Sequence, residues 1–294
     1  MRIIRHPRKK SLKGCVVALG TFDGVHRGHQ KVLQCAIRQA QTIGAAALAI
    51  TFDPHPQSVV APKRGLKLLT TLPEREELLA HYGMDGVIVF RFNHHLQKMT
   101  ARAFVEKYLV GRLGVRGVVV GFDYAFGCRR TGSIRELTEL GKQYGFSVTV
   151  VPRVGKIKSS VIREMVRQGK FNPAVKLLGH AYPVSGRVVN GFGRGRLLGF
   201  PTANLEIDAC KLIPAAGVYA GRWKNRRCAV NIGIRPTFGG EDGAVEVHIL
   251  NFKGNLRGEN LKIDLLRRIR PERRFSNISR LKKQIVKDLA VCEL

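Results

Sequence analysis

This sequence predicts an α/β domain built on a parallel sheet, followed by an antiparallel β-barrel domain with a terminal helix. Three observations carry that prediction. Over residues 1–180, apolar runs of strand length alternate with amphipathic helical segments. Strands that are apolar throughout, rather than at every second position, belong to parallel sheets buried on both faces. From Tyr182 onward, short alternating segments separated by Gly, Pro and Asn replace that rhythm, as in a closed antiparallel module. The stretch 278–289 returns to helical spacing. The boundary falls near residues 179–183, giving domains of 1–180 and 181–294, a division that suits a chain of 294 residues.

The first strand is the apolar run 15–19, and the first helix is the amphipathic segment 30–43. A second strand, 45–52, ends in the rigid turn Asp53-Pro54-His55-Pro56. Helical spacing returns at 73–82, where Pro73 suits a first turn and Glu74, Glu76 and Glu77 suit the positive end of the helix dipole. Residues 86–90 form a third strand, 101–109 a helix and 117–121 a fourth strand. A helix over 133–144, closed by Gly145, precedes a fifth strand at 146–151. In the second half the alternating segments are 184–189, 217–223, 228–232, 244–250 and 261–266.

Composition narrows the function classes. Hydrophobic residues make up 44% of the chain, enough for real cores. No apolar run approaches the ~18 residues that span a bilayer, so no membrane partner is expected. The basic start, residues 1–10, lacks the apolar region of a secretory signal. The six cysteines are scattered without a CxxC pair, which reads as a reducing cytoplasm with neither a disulfide framework nor a zinc site. Cys15 and Cys35 fall on apolar faces, as small hydrophobes do. Lys and Arg number 51 against 21 Asp and Glu, a net charge of +30, and such a surface attracts polyanions. No basic recognition helix, zinc finger or aromatic RNA-binding string accompanies it. Nucleic acid, acidic lipid and phosphorylated small molecules all remain candidates by charge, which does not decide the function, and the missing recognition motifs make nucleic acid the less expected.

The most informative string runs Gly20-Thr21-Phe22-Asp23-Gly24-Val25-His26-Arg27-Gly28-His29, between the first strand and the first helix. Unpaired N–H groups and the helix dipole favour anions there. Gly28 lets a phosphate approach the backbone. His26 and His29 are placed to donate to phosphate oxygens and to stabilise charge on a leaving pyrophosphate. A second loop, Gly121-Phe122-Asp123-Tyr124-Ala125-Phe126-Gly127 followed by Arg129 and Arg130, is too irregular for core. Asp23 and Asp123 are acidic candidates for polar contacts or magnesium. At 157–163, Ser159 or Ser160 suits a helix N-cap that leaves N–H groups for phosphate, and Arg163 suits a bidentate grip on triphosphate oxygens.

The second half concentrates its chemistry in residues 191–204. Gly191, Gly193 and Gly195 make a loop able to wrap a phosphate, and Arg194 and Arg196 supply counter-charge. Thr202 and Asn204 offer hard oxygen ligands for magnesium on a nucleotide. Glu246 interrupts a β run, so alternation sets it on the face opposite Val245 and Val247.

The HxGH string resembles the N-terminal signature of the nucleotidylyltransferase superfamily. In its longer form it resembles the FAD synthetase module of the prokaryotic bifunctional riboflavin kinases/FAD synthetases. The loop at 121–127 is similar to that family's Gly-x-Asp-x-x-Phe-Gly pattern. Residues 191–204 are similar, almost position for position, to its riboflavin kinase signature, and 231–238, 245–252 and 271–275 fit in the family's order, with Arg274 where lysine is common. The resemblance implies a Rossmann-like nucleotidylyltransferase domain joined to a riboflavin kinase barrel. Riboflavin, FMN and ATP would be the partners, with Mg2+ as cofactor. Gly20, Phe22, Asp23, Gly28, Asp123, Ser159, Ser160 and Arg163 would then bind nucleotide in the first half, with His26 and His29 catalytic. In the second half the Gly193–Arg196 loop would cover phosphates, Thr202 and Asn204 would hold Mg-ATP, and Glu246 would be the base that activates the riboflavin 5′-hydroxyl. The family usually has Ile-Ser-Ser-Thr-x-Ile-Arg where this chain has Ile157-Lys158-Ser159-Ser160-Val161-Ile162-Arg163. The added charge of Lys158 either helps binding or spoils the geometry. The alternative reading is therefore a riboflavin kinase whose adenylyltransferase half is weak or inactive.

Overall fold

The computed structural model describes residues 1–5, 14–191, 194–234 and 243–293. They form two compact units. The first comprises Met1–Leu66 and Leu72–Lys158, and the second Lys67–Thr71 and Ser159–Leu294. Residues 159–180 thus group with the barrel.

In the first unit the elements are β1 (Arg2–Ile4), β2 (Val16–Leu19), α1 (Arg27–Thr42), β3 (Ala47–Asp53), α2 (Pro56–Val60), α3 (Leu72–His81), β4 (Gly86–Arg91), α4 (His94–Lys98), α5 (Ala101–Phe104), β5 (Gly117–Gly121), α6 (Ile134–Tyr144) and β6 (Ser147–Val151). The sheet is wholly parallel, in the order β1-β4-β3-β2-β5-β6. Alternate residues of each central strand face two different cores. Val17, Leu48, Ile50 and Val118 join one core, and Val16, Ala47, Ala49 and Val119 join the other. With both faces covered, the strands have no polar face to show, which is why their sequences lack alternation. The chain runs outward from β2 through β3 to β4, then returns to lay β5 on the other side of β2. Strand order therefore reverses between β2 and β5, the place where open α/β sheets hold ligands.

Besides the short helices α2 and α4, which were not expected, two further elements of this unit differ from expectation. The short edge strand β1 was not anticipated; three residues carry too little pattern. The helix expected over 101–109 begins as α5 but continues as a π-helix over Val105–Leu113. A Cβ on Gly111 would lie 2.9 Å from the Glu106 carbonyl, so glycine suits that wider coil.

In the second unit, α7 (Ser159–Arg167) and α8 (Phe171–Leu178) precede β7 (Tyr182–Val189), the short α9 (Arg194–Leu197), β8 (Ala203–Ile207), β9 (Gly217–Trp223), β10 (Arg226–Ile234), β11 (Gly243–Ile249), β12 (Asn260–Pro271) and α10 (Ile278–Glu293). The six strands close into a barrel in the order β10-β11-β8-β7-β12-β9, which removes sheet edges. Val184, Leu205, Val230, Val245, Val247 and Ile263 are among its buried residues. Strand β8 was not anticipated, because its first residues read as the end of the glycine loop. Lys67–Thr71 joins this unit through backbone bonds on both sides of Leu68. Its N–H donates to the Cys210 carbonyl at 2.7 Å, and its carbonyl accepts from Leu212 at 2.7 Å.

Candidate functional site

The turn between β2 and α1 is tightly built. Phe22 and Val25 hold left-handed backbone (φ 51° and 37°), as does Gly24. A Cβ on Gly20 would sit 3.0 Å from the Phe22 ring. His26 is the N-cap of α1: its Nδ1 accepts the His29 backbone N–H at 3.2 Å. That bond places the proton of neutral His26 on Nε2. The helix starts at Arg27, earlier than expected, so Gly28 and His29 lie in its first turn. The two imidazoles stack at 3.6 Å between centroids, and Phe22 meets His29 edge-on at 5.3 Å. The missing Cβ of Gly28 is explained first by His26: a methyl there would lie 3.1 Å from its ring.

Charge is buried beneath this turn. Arg75, on α3, is 1% exposed, and Asp23 and Glu74 are also buried. Arg75 Nη1 donates to Thr51 Oγ1 at 3.0 Å, and Thr51 donates to the Thr21 carbonyl at 2.9 Å, tying α3 through β3 to the turn. Burial, reinforced by His26 and Arg75, holds the His29 imidazole well below its ordinary pKa. His29 Nδ1 is buried and has no hydrogen-bond partner among the described residues. An unsatisfied polar atom at a helix N-terminus is what a ligand would complete. Arg75 was missed in the sequence, and its neighbours Glu74 and Glu76 are buried beside it. His55, from the Asp53–Pro56 turn, is likewise buried, and it caps α2 by accepting from the Gln57 N–H at 3.2 Å.

Asp123 lies two residues beyond β5, in a loop shaped by left-handed Gly127, Arg129 and Arg130. Its Oδ2 is 3.6 Å from Lys158 Nζ. Gly20, Phe22, Asp23, His26, Gly28 and His29 are thus brought together in one turn, with Asp123 on the adjoining strand's loop. Ser159, Ser160 and Arg163 fall in the second unit, on α7. The helix begins at Ser159, so both serines sit inside its first turn rather than capping it from outside.

On the barrel, register places Glu246 directly between Asn204 of β8 and Asn231 of β10. Directly paired residues share a face, and Val245 and Val247 are buried on the other. Glu246 therefore faces away from the buried Val245 and Val247. A Cβ on Gly191 would overlap the Asn204 amide, and one on Gly195 would lie 3.0 Å from Thr202 Oγ1. Both glycines keep space open beside the two oxygen donors. His248, two residues beyond Glu246 on the same face, donates from Nδ1 to the Pro201 carbonyl at 2.8 Å and so pins the turn before Thr202. Gly233 borders this face too, since a Cβ there would lie 3.1 Å from Glu272 Oε1. Neither His248 nor Glu272 was assigned a role from sequence. Gly193 and residues 235–238 lie outside the described residues, as do the side chains of Arg194 and Arg196.

Thr202 and Asn204 supply neutral oxygens, and no group of three or more His, Cys, Asp or Glu converges anywhere among the described residues. Such a donor set suits Mg2+ only when phosphate oxygens complete its shell. No helix of the described residues is long and apolar enough to cross a membrane.

Comparisons with known proteins fit this geometry. A family model described as FAD synthetase matches residues 8–165, and one described as riboflavin kinase matches residues 178–293. A bifunctional riboflavin kinase/FMN adenylyltransferase of Escherichia coli K12 is 35% identical over 285 residues, covering 94% of this chain and 91% of its own length. One of Listeria monocytogenes is 37% identical over 283 residues, covering 93% and 90%. A solved structure from Streptococcus pneumoniae, described as a macrolide-efflux protein, is 31% identical and superposes with a TM-score of 0.88, covering 100% of this chain and 99% of its own. With both family models matched in order and relatives aligned over nearly their whole length, the chain belongs to the bifunctional riboflavin kinase/FMN adenylyltransferase family.

Proposed function

We propose that the two activities are divided between the two sites. The barrel transfers the γ-phosphate of ATP to riboflavin, giving FMN and ADP. The β2–α1 turn serves the transfer of AMP from a second ATP to FMN, giving FAD and pyrophosphate. One observation carries the division: the stacked His26–His29 turn belongs to the first unit, and the Asn204–Glu246 face belongs to the second.

In the kinase step Glu246 accepts the proton of the riboflavin 5′-hydroxyl as its oxygen attacks the γ-phosphorus and ADP departs. Thr202 and Asn204 hold the magnesium-bound phosphates; the ion supplies charge neutralisation there. Gly191, Gly193 and Gly195 let the backbone approach, and Arg194 and Arg196 add counter-charge. In the adenylyl step the FMN phosphate is already ionised and needs no base. An FMN oxygen attacks the α-phosphorus and pyrophosphate leaves. Gly20, Phe22, Asp23, Gly28 and Asp123 of the first unit bind and align the substrates; Ser159, Ser160 and Arg163, on α7, are nucleotide-binding candidates by the family resemblance. His26 Nε2–H and the neutral His29 donate to phosphate oxygens, with Arg75 adding buried positive field. The sequence boundary at residues 180/181, which falls inside the second compact unit, a cytoplasmic setting and the absence of a nucleic-acid partner belong to this reading.

Chromatographic separation of flavins after incubation with riboflavin, ATP and magnesium tests it. FMN should form first and FAD second. Glu246→Gln should stop FMN formation but leave FAD formation from supplied FMN, and His29→Ala should do the reverse. Equal loss of both activities in both variants would refute separate sites.

A further inference from the structure

Lys158 ends the first unit, and its ammonium lies 3.6 Å from Asp123 Oδ2, the two side chains being 50% and 54% exposed. Asp123 follows β5 by two residues, beside the reversal of strand order, so the pair stands where parallel sheets take their ligands. The surroundings are cationic. Arg130 Nη2 reaches the Asp123 carbonyl at 3.5 Å, and the Arg153 guanidinium lies 5.6 Å from the Phe122 ring centroid. An ion pair this exposed adds little to folding, so its partners exchange readily. A phosphate group carries more charge than one carboxylate and accepts from several sides. Lysine, a point charge on a flexible stem, is suited to follow it.

We propose that Lys158 is a phosphate-binding residue of the adenylyl-transfer site, held by Asp123 until a phosphate-bearing substrate displaces the carboxylate. The proposal rests on the two-site reading above. Serine, which the family resemblance implies at this position, offers no charge, so the added affinity is a property of this chain rather than of its fold.

The test compares the full-length protein with Lys158→Ser and Lys158→Arg in forming FAD from supplied FMN and ATP. KM is measured for each substrate at low and high salt, and riboflavin phosphorylation by the same preparations controls for folding. Lys158→Ser should raise KM for ATP or for FMN about two- to fivefold at low salt, the scale of one exposed charge contact. kcat should change by less than about twofold. The difference should shrink at high salt, and Lys158→Arg should restore most of the affinity. The substrate whose KM moves identifies the phosphate. Unchanged KM for both substrates, or a higher kcat/KM in Lys158→Ser, overturns this role while leaving the two-site reading in place. If FMN forms but neither the wild type nor any variant makes FAD, the two-site reading fails and this role fails with it.

Discussion

At the scale of one residue, His29 couples the site to pH. Its folded pKa lies well below the ordinary 6.5 because burial disfavours the cation and His26 and Arg75 reinforce this. Between 6.5 and the folded value the unfolded chain binds a proton that the folded chain refuses, so stability falls as the medium is acidified through that window. Urea unfolding from about pH 8 to about pH 5 should show a steeper loss for the wild type than for His29→Asn, which does not titrate there. Parallel curves would mean that His29 titrates normally. Gly28→Ala addresses the neighbouring contact. Its methyl would lie 3.1 Å from the His26 ring and should tilt the cap, lowering FAD formation about tenfold with FMN formation unchanged. The HxGH string was legible because its residues are contiguous and its strand-to-helix context is local. Arg75 was not, because its role depends on how α3 packs against β3, and nothing between Leu72 and His81 announces that burial.

At the scale of elements, β2 to β6 of the parallel sheet were legible from apolar runs alone, and the barrel strands other than β8 from alternation. Strand β8 escaped because Thr202, Ala203 and Asn204 read as loop chemistry. A residue that must face a ligand from a barrel wall is polar where a strand reader expects a core residue. The pairing of Lys67–Thr71 with residues 208–212 escaped for another reason: it joins segments about 140 positions apart, and no local pattern encodes such a register. Lys211 marks that junction. It is buried, its Nζ donates to the Leu69 carbonyl at 2.6 Å, and it lies 4.2 Å over the Tyr182 ring. Lys211→Met keeps most of the volume but leaves that carbonyl, on a fully buried residue, without its donor. The expected cost is about 1–3 kcal/mol, seen as a lower urea midpoint at unchanged slope. An unaltered midpoint would show that the Lys211–Leu69 bond contributes nothing.

At the scale of the whole molecule, the sequence boundary near residue 180 marks where strand–helix rhythm gives way to alternation, but compactness follows contacts rather than rhythm. Helices α7 and α8 group with the barrel: the Phe171 ring meets Tyr219 at 4.9 Å and Tyr182 at 5.8 Å. Leu68 and Leu69 are buried in the same unit. A kinase fragment starting at residue 181 would therefore lose an aromatic core contact, the Leu68 backbone bonds and the Lys211 acceptor together. One starting at residue 159 would keep the helices and lose only the last two. The thermal midpoint of FMN-forming activity should accordingly fall in the order full chain, fragment 159–294, fragment 181–294. Each step should be several degrees, since about 1 kcal/mol moves a domain of roughly 100 residues by about 4–8 °C. A synthetic peptide of residues 66–72, which binds only the folded fragment, should raise the midpoint of 159–294 with the logarithm of its concentration above Kd. If the fragment starting at 181 matches the full chain, the rhythm boundary is also the folding boundary and the strand supplied by Lys67–Thr71 is dispensable. If only the peptide restores the midpoint, the kinase unit is a discontinuous fold whose stability depends on a segment encoded within the adenylyltransferase half.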